Sequence, residues 1–544
     1  MFNFVKKYVP VLALIIFTSI QAAAMPAHPG NTNPTGRERP PAVQEAEAPL
    51  YSPLFKSSSA QTRSAPSTGT VKVLVILADF GTDVAGLPLL TAPDSGTDNY
   101  SITGFLHPLP YALFAIIILL SGLLIKTLRI PLLAFSFVII SGCNTGDSID
   151  YGDPLYFKTS SPSIFYTEML ETGSGLTMTD YYSAMSNGNL DLTFDVAGPY
   201  RVSKGWQYYG ENDSTGYDMY PATFVGEAVD LAQKDGVDFS LYDNDGNGYV
   251  DAVIVIHAGM GEEFAGDADT IWSHYWNLST AAQYRDGSGK RYYDGVYIDY
   301  YTIQPEYNLT PGDSTIGVFC HEFGHVLGLP DLYDTSGETN GVGRWSLMSS
   351  GSWGSGDGED PAPLLAWERD RVGGATWVTI TEASSGPNDI DEIETGKIAY
   401  KVTIDSGSGQ YLMLERKSAA SGTSPFVPAP GILITHIHEY LITSYLGDNY
   451  VNAGSTRVHG VNIIEAANTN ASGLGSLWTK SIITLTDYSK MPFPYGAIDS
   501  LAYSDDGSTQ PNANYYMTEA VASKTGNPLK SITGITASSF TVNP

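Results

Sequence analysis

Residues 321–331 read His321-Glu322-Phe-Gly-His325-Val-Leu-Gly328-Leu-Pro330-Asp331. On a helix, positions i and i+4 share a face, so His321 and His325 can point at one metal ion. Glu322, one position past the first His, is angled to hold a water on that metal rather than to bind it. Gly328 lets the chain leave the helix in a left-handed turn, and Pro330 cannot continue the helix. The turn brings Asp331 back as a third ligand. Three protein ligands and one open position suit a catalytic zinc rather than a structural one. The competing reading is an ordinary amphipathic helix that happens to carry two His. Against it, the chain has only nine His, and two of them flank a Glu at this spacing.

Downstream, 345–353 reads Trp-Ser-Leu-Met348-Ser-Ser-Gly-Ser-Trp. A Met in a tight turn can form an apolar floor under zinc ligands, although a buried Met taken alone is more often core filler. A second metal candidate lies upstream, at 243–251. There Asp243, Asp245, Asn247, Tyr249 (through its carbonyl) and Asp251 take positions 1, 3, 5, 7 and 9 of an EF-hand-like loop, with Gly248 at the sharp turn. Position 12 is Ile254 instead of a bidentate Glu, and a strand follows instead of a helix, so another acidic residue must complete a calcium site. The alternative is a solvated turn. Glu262 and Glu263, past the next strand, suit either a substrate-facing or an ion-binding role.

Several stretches carry a family resemblance: HEFGHVLGLPDLYD (321–334), SLMSSGSWG (346–354), the run into LLAWE (364–368), VKVLVILADF (71–80), DYYSAMSNGNLDLTFDVAGPY (180–200), DNDGNGYVDAVIVIHAGMGEE (243–263) and GILITHIHE (431–439). With them the chain resembles the immune inhibitor A family of secreted bacterial metalloproteases across most of 71–544. The resemblance implies an α+β zincin-type catalytic domain, a mixed sheet plus an active-site helix. It implies endopeptidase activity on protein or peptide substrates. Carried over residue by residue, it makes His321, His325 and Asp331 the zinc ligands and Glu322 the general base.

Composition bounds the rest. Twenty-eight Lys+Arg stand against 58 Asp+Glu, a net charge of −30. Such a surface repels nucleic acid and anionic lipid and suits a secreted protein that binds calcium. Lys6 and Lys7, the apolar run 9–20 and Gln21-Ala-Ala-Ala24 make 1–24 an export signal. Residues 25–70, rich in Pro and Ser, read as a linker or pro-segment. Two Cys, Cys143 and Cys320, give no disulfide framework, and Cys320 is expected to pack into the support of the active-site helix.

Apolar periodicity predicts strands at 71–77, 190–196 and 250–257, and helices at 180–187, 224–234 and about 315–327. The catalytic domain is thus expected over 71–375, followed by an all-β, sandwich-like module at 376–544. His257 is expected to end a strand and line the cleft. His436 and His438 alternate on one face of a strand, either as a two-His site or as inert surface residues.

One segment does not fit the family pattern. Residues 111–125 and 130–142 are apolar, separated by Lys126-Thr-Leu-Arg129 and ending at Cys143. Three readings of 105–143 compete: a membrane hairpin with its charges on the cytoplasmic side, a lipoprotein-type signal lipidated at Cys143, and a foreign insertion. Membrane association is preferred, which puts the enzyme outside the cell, secreted or tethered. The runner-up to a zinc endopeptidase is a non-catalytic adhesin on a zincin scaffold. Substrate specificity, activation and oligomeric state have no signal in the sequence.

Overall fold

The computed structural model describes residues 65–81, 156–501 and 531–543, apart from 214–215, 266–267, 285, 394–396, 406, 408, 419–424, 455–458, 468–475, 480–482 and 497–499. They belong to one compact unit formed by Met1–Ala85 and Leu155–Pro544. The export-signal reading of 1–24 and the apolar segment 105–143, Cys143 included, lie outside the described residues. Among the described residues no helix is long and apolar enough to cross a membrane.

Strand β1 (Gly69–Asp79) is apolar without a break from Val73 to Ala78, and such a run needs cover on both faces. It lies between β2 (Leu190–Arg201) and β3 (Val253–Met260), parallel to both. Strand β4 (His274–Asn277) follows, then the hairpin β5 (Arg291–Tyr293) and β6 (Val296–Ile298), then β7 (Tyr300–Tyr307). The main sheet runs β2-β1-β3-β7-β4, with β4 the antiparallel edge.

Alternation along the strands sorts this sheet into two faces. Val71, Val73, Val75 and Leu77 of β1, with Ile254 and Ile256 of β3, pack with helices α1 (Met178–Met185) and, beyond it in sequence, Ile316–Val326. Leu74, Ile76, Val253 and Val255 face the other way, onto α2 (Pro221–Lys234). Each predicted element is present, with ends shifted by a few residues. Residues 65–68, placed in the linker by sequence, are already docked: Ala65 is buried and Trp377 Nε1 donates to Ser67 O at 2.8 Å.

Helix α3 (Ile316–Val326) is buried nearly all round, as an apolar core helix should be. Its path requires glycine twice. A Cβ on Gly317 would lie 2.1 Å from Ser352 O, and one on Gly324 would lie 2.4 Å from Met348 Sδ. Gly328, at φ +89, turns the chain out of the helix as predicted.

Helix α4 (Ala366–Gly373) leads into the β-rich region of β8 (Thr379–Glu382), β9 (Gly386–Asp389), β10 (Ile398–Asp405), β11 (Gln410–Lys417), β12 (Gly431–His438), β13 (Val461–Ile464), β14 (Ser531–Thr533) and β15 (Ser539–Asn543). These form a five-stranded sheet, β13-β12-β11-β10-β8, and a three-stranded sheet, β14-β15-β9. Leu412, Leu414, Ile432 and Ile434 share an apolar cluster with Ile532, Phe540 and Val542 of the smaller sheet. On the opposite face, Met413, Leu433 and Ile437 belong to the same core as Phe323 and Met348. The large sheet is therefore covered twice, and the C-terminal region shares the core that supports α3.

Candidate metal centre

His321 and His325 lie one helical turn apart on α3, their rings edge to face with centroids 5.0 Å apart. Asp331 returns after the Gly328 turn. Its Oδ1 stands 3.1 Å from His321 Nε2 and 3.4 Å from His325 Nε2. One ligand atom from each of the three residues lies within 4.8 Å of the others, and all three residues are buried. Around a tetrahedral ion with bonds of about 2.0–2.1 Å, neighbouring ligand atoms stand roughly 3.3 Å apart, so these spacings fit zinc. Each Nδ1 faces a carbonyl, His321 that of Leu347 at 2.9 Å and His325 that of Leu329 at 2.8 Å. A carbonyl only accepts, so each Nδ1 carries a proton, and Nε2 is the atom turned toward Asp331 and left to a metal that displaces any proton there. This is the usual outer support of a metal-binding His.

The charges in the site are mutually dependent. Burial acts to lower His325, but the Asp331 carboxylate outweighs it and holds the ring up at about 9. Burial would raise Asp331, yet the two imidazoles hold it well below the usual carboxylate range. Burial pushes Glu322 up to about 7, against the pull of the same two His.

Met348 lies under α3, its Sδ filling the space that the missing side chain of Gly324 leaves. Its turn is held by Ser346, whose Oγ donates to both carboxylate oxygens of Glu368 at 2.7 and 2.8 Å and accepts from Met348 N at 2.9 Å. Met348 O accepts from Leu332 N at 2.7 Å, which ties the floor to the Asp331 loop. Tyr275 of edge strand β4 stacks near His325 with centroids 6.2 Å apart.

Three groups had no signal in sequence. Tyr333 OH donates to Asp331 Oδ2 at 3.1 Å. Asn449, from the C-terminal region, donates through Nδ2 to the same oxygen. Glu368 was read only as part of a motif, with no role attached.

The second candidate gathers in part. Carboxylate oxygens of Asp243, Asp245 and Asp251 lie within 4.8 Å of one another. Asp251 Oδ2 accepts from Asn244 Nδ2 at 2.7 Å, while its Oδ1 is buried with no hydrogen-bond partner. An orphaned buried carboxylate oxygen beside two other carboxylates fits a hard cation. Asn247 Oδ1 instead accepts from Tyr249 N at 2.9 Å. Tyr249 is tied by a strand-like bridge to Tyr297.

Other expectations are corrected. His257 does not line the cleft. It is buried on the α2 side of the sheet against Phe80 and Phe224, where burial drops it to about 4. His436 and His438 are buried rather than on the surface, because both faces of β12 are covered. Glu262 accepts from Asn212 Nδ2 at 2.9 Å, and Glu263 from Ser273 Oγ at 2.5 Å. Cys320 is buried, as expected.

Geometry of this kind belongs to the metallopeptidase class of domains. Comparison with known proteins narrows it: residues 150–378 match the family model of the immune inhibitor A peptidase M6 catalytic domain. The resemblance read from the motifs is borne out over this segment, which is similar to that catalytic domain, while the pieces at 71–80 and 431–439 lie outside the match. Pre-pro-metalloprotease PrtV of Vibrio cholerae serotype O1 (strain M66-2) is 35% identical over 250 residues, covering 40% of this chain and 26% of that protein. Immune inhibitor A of Bacillus thuringiensis subsp. alesti is 32% identical over 243 residues, covering 39% of this chain and 34% of that protein. The chain thus spans about a quarter to a third of the length of the curated relatives it matches.

Proposed function

We propose that the protein is a zinc-dependent endopeptidase acting outside the cell, with His321, His325 and Asp331 as ligands and Glu322 as general base. The observation that carries this is the convergence of two Nε2 atoms and one carboxylate oxygen beside a buried Glu322. Zinc held by His321, His325 and Asp331 would supply Lewis-acid chemistry, polarising a scissile carbonyl and lowering the pKa of a bound water. Glu322 takes the water's proton and passes it to the leaving amine. Met348 and the Leu329 and Leu347 carbonyls keep the imidazoles in place. A binding-only role would have no use for Glu322, which disfavours the adhesin reading.

The extracellular placement rests on the signal-like residues 1–24. Of the three readings of 105–143, cleavage before Cys143 is disfavoured, because it would remove β1 from between β2 and β3. The carboxylates of 243–251 form a calcium site that stabilises the domain. Boundaries at 71–375 and 376–544 remain the proposed division, with the two parts sharing one core.

Glu322→Gln tests the catalytic reading. Casein turnover should fall at least ~10²-fold while bound zinc stays stoichiometric. Turnover above a tenth of wild type would refute the assigned role.

A further inference from the structure

We propose that Asn449 is a positioning residue for the metal centre, fixing which oxygen of Asp331 faces the two histidines. The proposal rests on the zinc reading above, and it makes the docked C-terminal region a condition of full metal affinity.

Asp331 has two carboxylate oxygens, and only Oδ1 faces His321 and His325, at 3.1 and 3.4 Å. Oδ2 accepts from Asn449 Nδ2 and from Tyr333 OH. The other half of the Asn449 amide closes the pair: its Oδ1 accepts from Asp331 N at 2.9 Å. One carboxamide thus grips the backbone and the side chain of a single residue. It takes a side chain that carries both a donor and an acceptor, and the planar amide of Asn holds the two at a fixed angle. Tyr333 lies two residues from Asp331 and moves with its loop. Asn449 lies 118 residues away on a separate segment, so it supplies an outside reference.

That segment is itself fixed. Asn449 sits at φ 54, a left-handed conformation that Asn tolerates better than most residues. Asn452 Nδ2 donates to Leu332 O at 2.9 Å, and Asn452 Oδ1 accepts from Val461 N of β13 at 3.0 Å. Gly454 N donates to Asp334 Oδ1 at 2.8 Å. Residues 449–454 therefore run along 331–334 and carry the order of the C-terminal sheet to the third ligand. With Oδ2 engaged, the carboxylate cannot rotate about its last bond without losing two hydrogen bonds. A ligand oriented in advance binds more tightly than one that must be ordered on binding.

The test uses the full chain and three variants. Asn449→Asp keeps the shape but loses the donor. Asn449→Gly keeps the left-handed backbone but loses the side chain. Asn452→Ala loosens the same segment without touching Asp331. Zinc dissociation constants are measured by chelator competition, visible absorption is recorded after cobalt substitution, and the metal-free proteins are melted. Both Asn449 variants should bind zinc ~10–100-fold more weakly and change the cobalt spectrum. Asn452→Ala, which loosens the segment but keeps the Asn449 side chain, should lower the melting temperature and weaken zinc by less than either Asn449 variant. Asn449 variants with wild-type affinity and spectrum would overturn the proposal, as would Asn452→Ala losing affinity to the same degree. Wild type that takes up no stoichiometric zinc would overturn the proposal and the reading of the site together.

Discussion

Asp251→Asn separates a calcium site from a mere acidic turn. In the metal-free protein, burial raises the Asp251 carboxyl from 3.8 to about 7, and Asp243 and Asp245 add to the shift. A raised pKa means the carboxyl favours folding below about 3.8, and this contribution is lost as the pH rises through about 7. At pH 8 the charged form costs on the order of 4 kcal/mol, taking three units at ~1.36 kcal/mol each. Asn carries no charge. Its oxygen can keep the bonds that Asn244 donates to Asp251 Oδ2, and its amide would face Asp243 and Asp245. In a calcium-selective chelator at pH 8, Asp251→Asn should therefore be the more stable protein. A 150–250-residue domain moves its Tm by ~2–4 °C per kcal/mol and a longer chain by less, so the rise should be about 5 °C. In calcium the gap should close. Wild type gains ~2.7 kcal/mol at a hundred times Kd and ~4.1 kcal/mol at a thousand times, so the variant's lead shrinks at the first concentration and is gone near the second. Thermal melts of both proteins, in chelator and in calcium at pH 8 and pH 5, read all of this. A variant equally destabilised in both conditions, or a wild type indifferent to calcium, would refute the reasoning.

The floor of the proposed zinc site gives two further expectations. Gly324→Ala places a Cβ 2.4 Å from Met348 Sδ and should cost ~1–3 kcal/mol as overpacking; combined with Met348→Ala it should lower Tm by less than the sum of the two single losses, and strict additivity would separate the two residues. Glu368, raised to about 7 by burial with Glu415 and Lys417 nearby, favours folding below about 4.5 and loses that contribution as the pH passes 7. The melting temperature of wild type relative to Glu368→Gln should then rise as the pH falls from 8 to 5, and a flat difference would contradict the assignment.

What the sequence revealed follows from the range of each interaction. The His321 and His325 pair, the Gly328 exit and Asp331 fall within eleven residues, so helical geometry and one turn decide their convergence. Strands β1 and β3 announced themselves because a parallel strand buried on both faces must be apolar throughout. The same rule exposes the misreading of β12. His436 and His438 looked like a polar face, yet they alternate with Thr435 and Ile437 in a run whose other members are Ile and Leu. A strand so rich in aliphatic residues on both parities has no solvent face, and its histidines go inside with it. His257, in another such strand, was misplaced for the same reason.

The support of the site was not legible, because it is built from partners distant in sequence. Glu368 meets Ser346 across 22 residues, and Asn449 meets Asp331 across 118. Neither contact leaves a periodicity or a spacing rule. A short motif therefore specifies which atoms can hold the metal, while the packing of α4 and the C-terminal sheet on the shared core decides how firmly those atoms are held. A fragment ending near 378, where the family match stops, would keep every proposed ligand. It would lose Asn449, and with it the two hydrogen bonds that reach Asp331 from 118 residues away.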